Sequence, residues 1–297
     1  MRGRLLAAVI LTAAAGVGRA DEPPGIEALI RQLGDEDASR RENAEAALED
    51  AEEEARGPVE RALAAFPVDG DPEVRSRLER LKARLDVSVA IRKFAKAWGT
   101  RSFVLNRGGQ TAAVWTTTAR IEDHELVLEW WISLAEHPDW RLEMRLSADD
   151  RMRFVSRVDR IHGKTNTRRS DPAADPENLV PGDFAMWARV AVSGMTANET
   201  LDLAMLEVGV GRDHIRISDE PIRLHITCTE QKEGLRTFEV RRARGTSSEE
   251  ENESVERIRI DSDGVLLGLE DVSEGGLATP ATAEEAATAR AGLSGGR

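Results

Sequence analysis

The sequence predicts an α+β protein in two parts: an N-terminal α-helical repeat pair, then a curved, half-barrel-like antiparallel β-sheet domain. Two observations carry that prediction. One helical pattern occurs twice between residues 26 and 86, and from Arg101 onward the hydrophobic period changes from 3.6 to 2.

In the helical part, Ile26, Ile30 and Leu33 are matched 33 positions later by Val59, Leu63 and Phe66. The stretch DASRRENAEAALEDA from Asp37 is matched at an offset of 34 by DPEVRSRLERLKARL from Asp71. This aligns Arg41 with Arg75, and Ala44, Ala47 and Ala51 with Leu78, Leu81 and Leu85. Asp37 and Asp71 are placed as N-caps, where a carboxylate accepts orphan amide hydrogens and suits the positive end of the helix dipole. Pro58 and Pro72 suit first-turn positions, where no helical hydrogen bond is lost. An apolar helix, an acidic turn and a D-x-x-x-R helix, repeated, resembles HEAT repeats over about a fifth of the chain. The period of about 34 is also that of tetratricopeptide units. Their Trp, Gly and Tyr positions are missing, however, and the chain contains no Tyr. Val87 to Trp98 reads as a further helix stopped by Gly99, so the helical domain is expected over 21–98.

The first twenty residues, MRGRLLAAVILTAAAGVGRA, combine a basic start, an apolar stretch from Leu5 to Val17 and a small-residue site ending at Ala20. This is the pattern of a secretory signal peptide cleaved after Ala20, which predicts export to the periplasm or beyond the cell. Removing Arg2, Arg4 and Arg19 lowers the formal charge from −13 to −16. Such an acidic chain disfavours unspecific nucleic-acid binding, and no later segment reads as a transmembrane span. Cys228 is the only cysteine, so an internal disulfide is impossible and stability has to come from the core.

The sheet domain is expected over 99–275. In ELVLEWWISL, Leu126, Leu128, Trp130, Ile132 and Leu134 share one face; in WRLEMRLS, Trp140, Leu142, Met144 and Leu146 do the same. Pairing Trp130 with Trp140 would set Glu129 against Arg141 and Glu125 against Arg145, a favourable ladder of opposite charges. Further strands are expected at 101–107, 110–119, 151–158, 185–192, 213–217, 221–229, 235–243, 255–261 and 264–270. The DSDG turn at Asp261 closes a final hairpin. Residues 159–184 read as a long polar loop, and the stretch from Thr196 as a short helix. Residues 276–297 read as a tail in which Thr282 and Glu285 form a capping box before a brief helix, ending in a disordered GLSGGR. A sheet with one apolar face has to cover it. The strand rhythm, exported context and final hairpin are similar to the periplasmic lipoprotein-carrier family, which closes such a sheet over a hydrophobic cavity. The similarity assigns no binding residue.

No pair of the five histidines has metal-ligand spacing, and each reads as a surface or turn residue. Cys228 shares parity with Ile222, Leu224 and Ile226 and reads as buried. Asp261-Ser262-Asp263-Gly264 lacks the remainder of a calcium loop. No metal or cofactor is expected. The feature that stands out is a basic stretch in an acidic chain: Trp140 to Arg169 holds nine Lys or Arg against four Asp or Glu. Arg141, Arg145, Arg151, Arg153 and Arg157 have outward parity, with Trp131 beside them. This face suits an anionic ligand or partner, or else is a solvated face paired with neighbouring carboxylates.

The expected function is a non-enzymatic, exported interaction or scaffold protein of a bacterial cell envelope, binding a protein or envelope component. The alternative is a carrier of a lipid or other hydrophobic ligand. A third reading is a hydrolase using dispersed carboxylates such as Asp149, Asp150 or Glu199.

Overall fold

The computed structural model describes residues 24–295, apart from 136, 138, 150, 207, 211–214, 218–220 and 244–253. The expected signal peptide, Asp150 and most of the acidic stretch from Ser247 lie outside the described residues. The chain divides into two compact units, with the boundary after Leu78.

The first unit contains α1 (Ile26–Gln32), α2 (Ala38–Asp50), α3 (Glu53–Ala64) and the start of α4 (Pro72–Trp98). Leu29, Leu33, Ala44, Leu48, Ala55, Val59 and Leu78 are buried in it. The two expected caps have matching geometry. Asp37 Oδ1 accepts from the Ser39 amide at 2.8 Å, and Asp71 Oδ1 from the Glu73 amide at 2.8 Å. Each such cap is worth about 1 kcal/mol. Arg77 pairs with Glu45 and Glu73, both at 2.9 Å. Pro72 opens α4 as expected. Pro58 does not open a helix: α3 starts at Glu53, so the proline sits in its second turn with no amide to offer the preceding turn. The separate helix expected at Val87 is also corrected. α4 runs unbroken from Pro72 to Trp98 because no Gly or Pro interrupts it, and it ends at Gly99, whose φ is +54°.

The second unit holds a curved, unclosed sheet of thirteen strands. One meander comprises β1 (Thr100–Arg107), β2 (Gln110–Glu122), β3 (Glu125–Leu134), β4 (Trp140–Ser147), β5 (Phe154–Ile161) and β6 (Lys164–Arg169). The chain then forms the short β7 (Leu179–Val180), α5 (Asp183–Val192) and β8 (Thr200–Met205). A separate two-stranded ribbon, β9 (Val208–Val210) with β10 (Ile215–Ile217), precedes the second meander. That meander comprises β11 (Ile222–Lys232), β12 (Leu235–Ala243), β13 (Ser254–Ile260), β14 (Leu266–Asp271) and β15 (Gly276–Ala281), and α6 (Ala283–Gly295) follows. β15 returns to pair with β1, joining the two meanders, and among the described residues only β7 and β8 run parallel.

Inward residues of β1 to β4, β8 and β11 to β15, together with Ile91, Phe94 and Trp98 of α4 and nearly all of α5, form one core. Trp98 anchors it: its ring lies 4.8 Å from Phe184, and its indole N–H donates to Thr117 Oγ1 at 3.0 Å. Phe154, Leu179, Ala204 and Leu206 form a second small core in which β5 meets β7 and β8.

Four sequence expectations change here. Residues 185–192 form α5 rather than a strand. That apolar run has no alternation, and inside a core a helix and a strand are not distinguished by such a run. Thr200–Met205 is strand β8 rather than a helix, with Leu203 and Met205 facing in. The 159–184 loop contains the end of β5, the whole of β6 and β7, because His162 and Gly163, with φ of +49° and +74°, make a tight hairpin turn. Gly276–Ala281, expected in the tail, is a central strand, and α6 continues through Gly292 to Gly295. The capping box forms as expected: the Thr282 amide donates to Glu285 Oε2 at 2.8 Å and the Glu285 amide to Thr282 Oγ1 at 3.2 Å.

Candidate functional site

The expected register of β3 against β4 is off by two residues. Trp130 faces Leu142, Ile132 faces Trp140, and Trp131 faces Arg141. A slip of two keeps each side chain on its own face, so the outward set survives with new neighbours. Across four strands it forms two rows: Thr116, Trp131, Arg141 and Arg160, beside Thr118, Glu129, Glu143 and Val158. Between the rows lies a groove of about 290 Å³, lined by Thr116, Thr118, Glu129, Trp131, Arg141, Glu143 and Arg160.

Trp131, 37% exposed, is the aromatic wall of this groove. The Arg141 guanidinium lies 5.1 Å from its ring centroid, and that of Arg290, from α6, lies 4.0 Å away. Arg290 also donates to Thr116 Oγ1 at 2.6 Å, fastening α6 to the outer face. Arg141 meets Asp139 at 3.0 Å in a solvent-exposed pair, which contributes little. The Arg160 side chain has no ion pair or hydrogen bond among the described residues, whereas Glu129 meets Arg120 at 3.0 Å and Glu143 meets Arg145 at 2.9 Å.

The other expected arginines divide. Arg145 is held by Glu143, Glu125 and Glu122, at 2.9, 3.1 and 3.4 Å, and the hydrogen bonds to Glu143 and Glu125 push its pKa up. It therefore belongs to a neutralised surface network. Arg151 reaches Glu177 at 3.4 Å, and Arg153 is exposed, its amide donating to Ser147 Oγ at 2.8 Å.

Arg157 is corrected outright: it is buried on the inner face. β5 starts at Phe154, and Val155 is an extra residue, since Arg145 faces Ser156 while Leu146 faces Phe154. This bulge reverses the alternation. Arg157 binds Asp159 at 2.6 Å and donates to the Pro181 carbonyl, while Asp159 also accepts from the Trp140 indole at 3.2 Å. The same reversal turns Arg160 outward into the groove.

On the concave side, charged groups hold α5 in place. Arg242 binds Asp183 at 2.6 Å and Glu256 at 2.8 Å, and Arg236 donates to the Ala191 carbonyl at 3.1 Å. Burial raises the Glu256 pKa above the usual carboxylate range. Cys228 is fully buried, as expected, and burial pushes its thiol up. Asp261 Oδ1 accepts from the Asp263 and Val265 amides, each at 2.9 Å, which fixes the hairpin turn. Asp149 and Glu199 likewise accept backbone amides in turns. His137, expected as a surface or turn residue, lies in the connection between β3 and β4 and is buried there, with its Nδ1 3.1 Å from His162 Nε2. Neighbouring hairpin ends bring these two together, which linear spacing does not reveal.

Arg160 and Arg290 were missed by sequence reasoning. Arg160 lay in a segment read as loop, although the His-Gly pair after it signals a hairpin. Arg290 had no local signal at all, because only the docking of α6 brings it to Trp131. Among the described residues no cluster of three metal-ligating side chains occurs, and no helix is long and apolar enough to cross a membrane. No family model matches the chain, and neither a curated protein nor a solved structure matches it.

Proposed function

We propose that the chain is an exported, non-enzymatic interaction protein of the cell envelope, and that it binds a protein partner through the outer face of β2–β5. The HEAT-like helical pair accompanies that sheet as a second interaction module. The observation that carries the reading is the groove beside Trp131. It joins a part-exposed indole to charged groups not all neutralised among the described residues, the composition that interface anchors favour. The test is affinity capture from envelope extract with wild-type protein and with a Trp131→Ala/Arg141→Glu variant. A partner retained by the first and lost by the second supports the reading; identical recovery from both refutes it.

A second reading, a carrier of a hydrophobic ligand with a polar head, is favoured by one observation. The indole nitrogens of Trp115, Trp130 and Trp187, consecutive in the aromatic series of the concave face, are buried without a hydrogen-bond partner among the described residues. Against it, α5 fills the space such a ligand would need. Native mass spectrometry of the purified protein decides: a co-purifying lipid supports the carrier, and the bare polypeptide mass alone counts against it.

A further inference from the structure

We propose that the groove is a carboxylate subsite, taking a singly charged carboxylate carried on a short apolar or aromatic stem; this rests on reading the outer face as an interaction surface. Arg141 and Arg160 are direct cross-strand partners, both outward and both lining the groove. Like charges placed directly opposite each other are destabilising, and here the cost is relieved on one side alone: Arg141 meets the exposed Asp139 at 3.0 Å, while Arg160 has no partner among the described residues. Two guanidinium groups at one ladder position match the planar, two-oxygen geometry of a carboxylate.

The neighbouring row bounds the site on one side. Glu129 and Glu143 are also directly opposed, one step of two residues along the strands, or about 7 Å away. They bind Arg120 and Arg145, so the arginine row keeps its positive field, and what favours a carboxylate on a stem over inorganic phosphate is the contact with Trp131, which phosphate cannot make. Trp131 lies in the same row as the arginines, and the part of its indole left exposed beside the guanidiniums of Arg141 and Arg290 gives an apolar stem a contact. A volume of about 290 Å³ has room for roughly one residue. The carboxylate can come from a polypeptide C-terminus or from an acidic side chain.

Four probes separate these sources: N-acetyl-Gly-Gly-Phe as the free acid, the same peptide as its C-terminal amide, N-acetyl-Glu amide, and inorganic phosphate. Binding to the full chain is read by calorimetry and by the indole N–H resonance of Trp131, identified by its loss in Trp131→Phe. The free acid is expected to bind and shift that resonance, and the peptide amide and phosphate to bind about ten-fold more weakly or not at all. Binding of N-acetyl-Glu amide as tight as that of the free acid assigns the side-chain source; weaker binding assigns the C-terminus. Arg160→Gln changes an exposed, unpaired side chain and so leaves the fold intact, and it is expected to lower affinity about ten-fold. Phosphate binding as tightly as the free acid, or undiminished binding to Arg160→Gln, overturns the subsite. A protein partner captured by wild type and by Arg160→Gln alike, but lost in Trp131→Ala/Arg141→Glu, overturns the carboxylate assignment while sparing the broader reading.

Discussion

The guanidinium of Arg290 lies 4.0 Å from the ring centroid of Trp131, and this contact, with the bond to Thr116, helps fasten the last helix to the outer face of the sheet. Of the described side chains of α6, only Ala286 is fully buried, so little apolar area holds the helix in place. A partly exposed cation–π contact is worth about 1 kcal/mol. Arg290→Gln, which also weakens the bond to Thr116, is expected to leave the global melting transition nearly unchanged while raising amide exchange across 283–295. Hydrogen exchange with mass spectrometry checks this, and unchanged protection of α6 would refute the fastening role.

A much larger effect is expected on the inner face. Asp159 is fully buried and neutralises Arg157, itself 2% exposed. Removing one partner of a buried pair leaves an uncompensated charge, at a cost of about 3–5 kcal/mol. Asp159→Ala should therefore shift the urea midpoint far down. The double variant Arg157→Met/Asp159→Leu should recover part of the loss, because no charge then stays stranded, although the Pro181 carbonyl and the Trp140 indole lose their partners.

The β5 bulge can be tested by deletion. Without Val155, the residues before it change face relative to those after it, so either Phe154 leaves the core or Arg157 and Asp159 turn outward. Deletion of Val155 is expected to give insoluble or molten protein, seen as loss of near-ultraviolet circular dichroism. A Val155→Thr variant keeps the residue count and should fold with a stability close to wild type.

Two carboxylates of the second unit respond to pH with opposite signs. Hydrogen bonds from the Thr282 amide and hydroxyl hold the Glu285 carboxyl below its ordinary value of 4.5. A lowered folded-state pKa contributes stability above the unfolded value and loses it as pH falls toward the folded one. Protection of α6 should thus weaken as pH drops below 4.5, and Glu285→Gln should abolish that dependence. Glu256 is raised by burial, so its contribution declines as pH rises from the ordinary glutamate value toward the folded one. The stability difference between wild type and Glu256→Gln should change in that direction over this window, as measured by urea unfolding.

Gly264, in the Asp261 turn, has a φ of +84°, and an added Cβ would come within 3.0 Å of Ala191 Cβ and 3.3 Å of Phe94. Both the strained backbone and the close approach oppose a side chain. Gly264→Ala is expected to cost about 1–3 kcal/mol, measured by chemical denaturation, whereas Gly163→Ala, where nothing lies within 4 Å, should cost less.

The local elements were legible wherever local chemistry decides them. The alternating strands from Thr100 to Ser147, the capping box at Thr282, the aspartate caps and the Asp261 hairpin turn all depend on residues within a few positions of one another. The errors fall where a partner decides. β6 has no apolar face and exists only because β5 offers it a ladder. α5 is helical because the curved sheet surrounds an apolar run that carries no period of its own. Of the six expected site residues, Trp131 and Arg141 meet at the groove, Arg145 is neutralised, Arg151 and Arg153 stand apart, and Arg157 is inside.

The sequence by itself determined an antiparallel sheet with one apolar face preceded by helices, because side-chain alternation and capping are properties of adjacent residues. Only the tertiary structure decided which arginines share a site. A single bulge at Val155 exchanged Arg157 for Arg160, and the docking of α6 brought Arg290 to Trp131. Parity within a strand survives a register slip of two but not the insertion of one residue, and contacts between distant segments leave no trace in local periodicity.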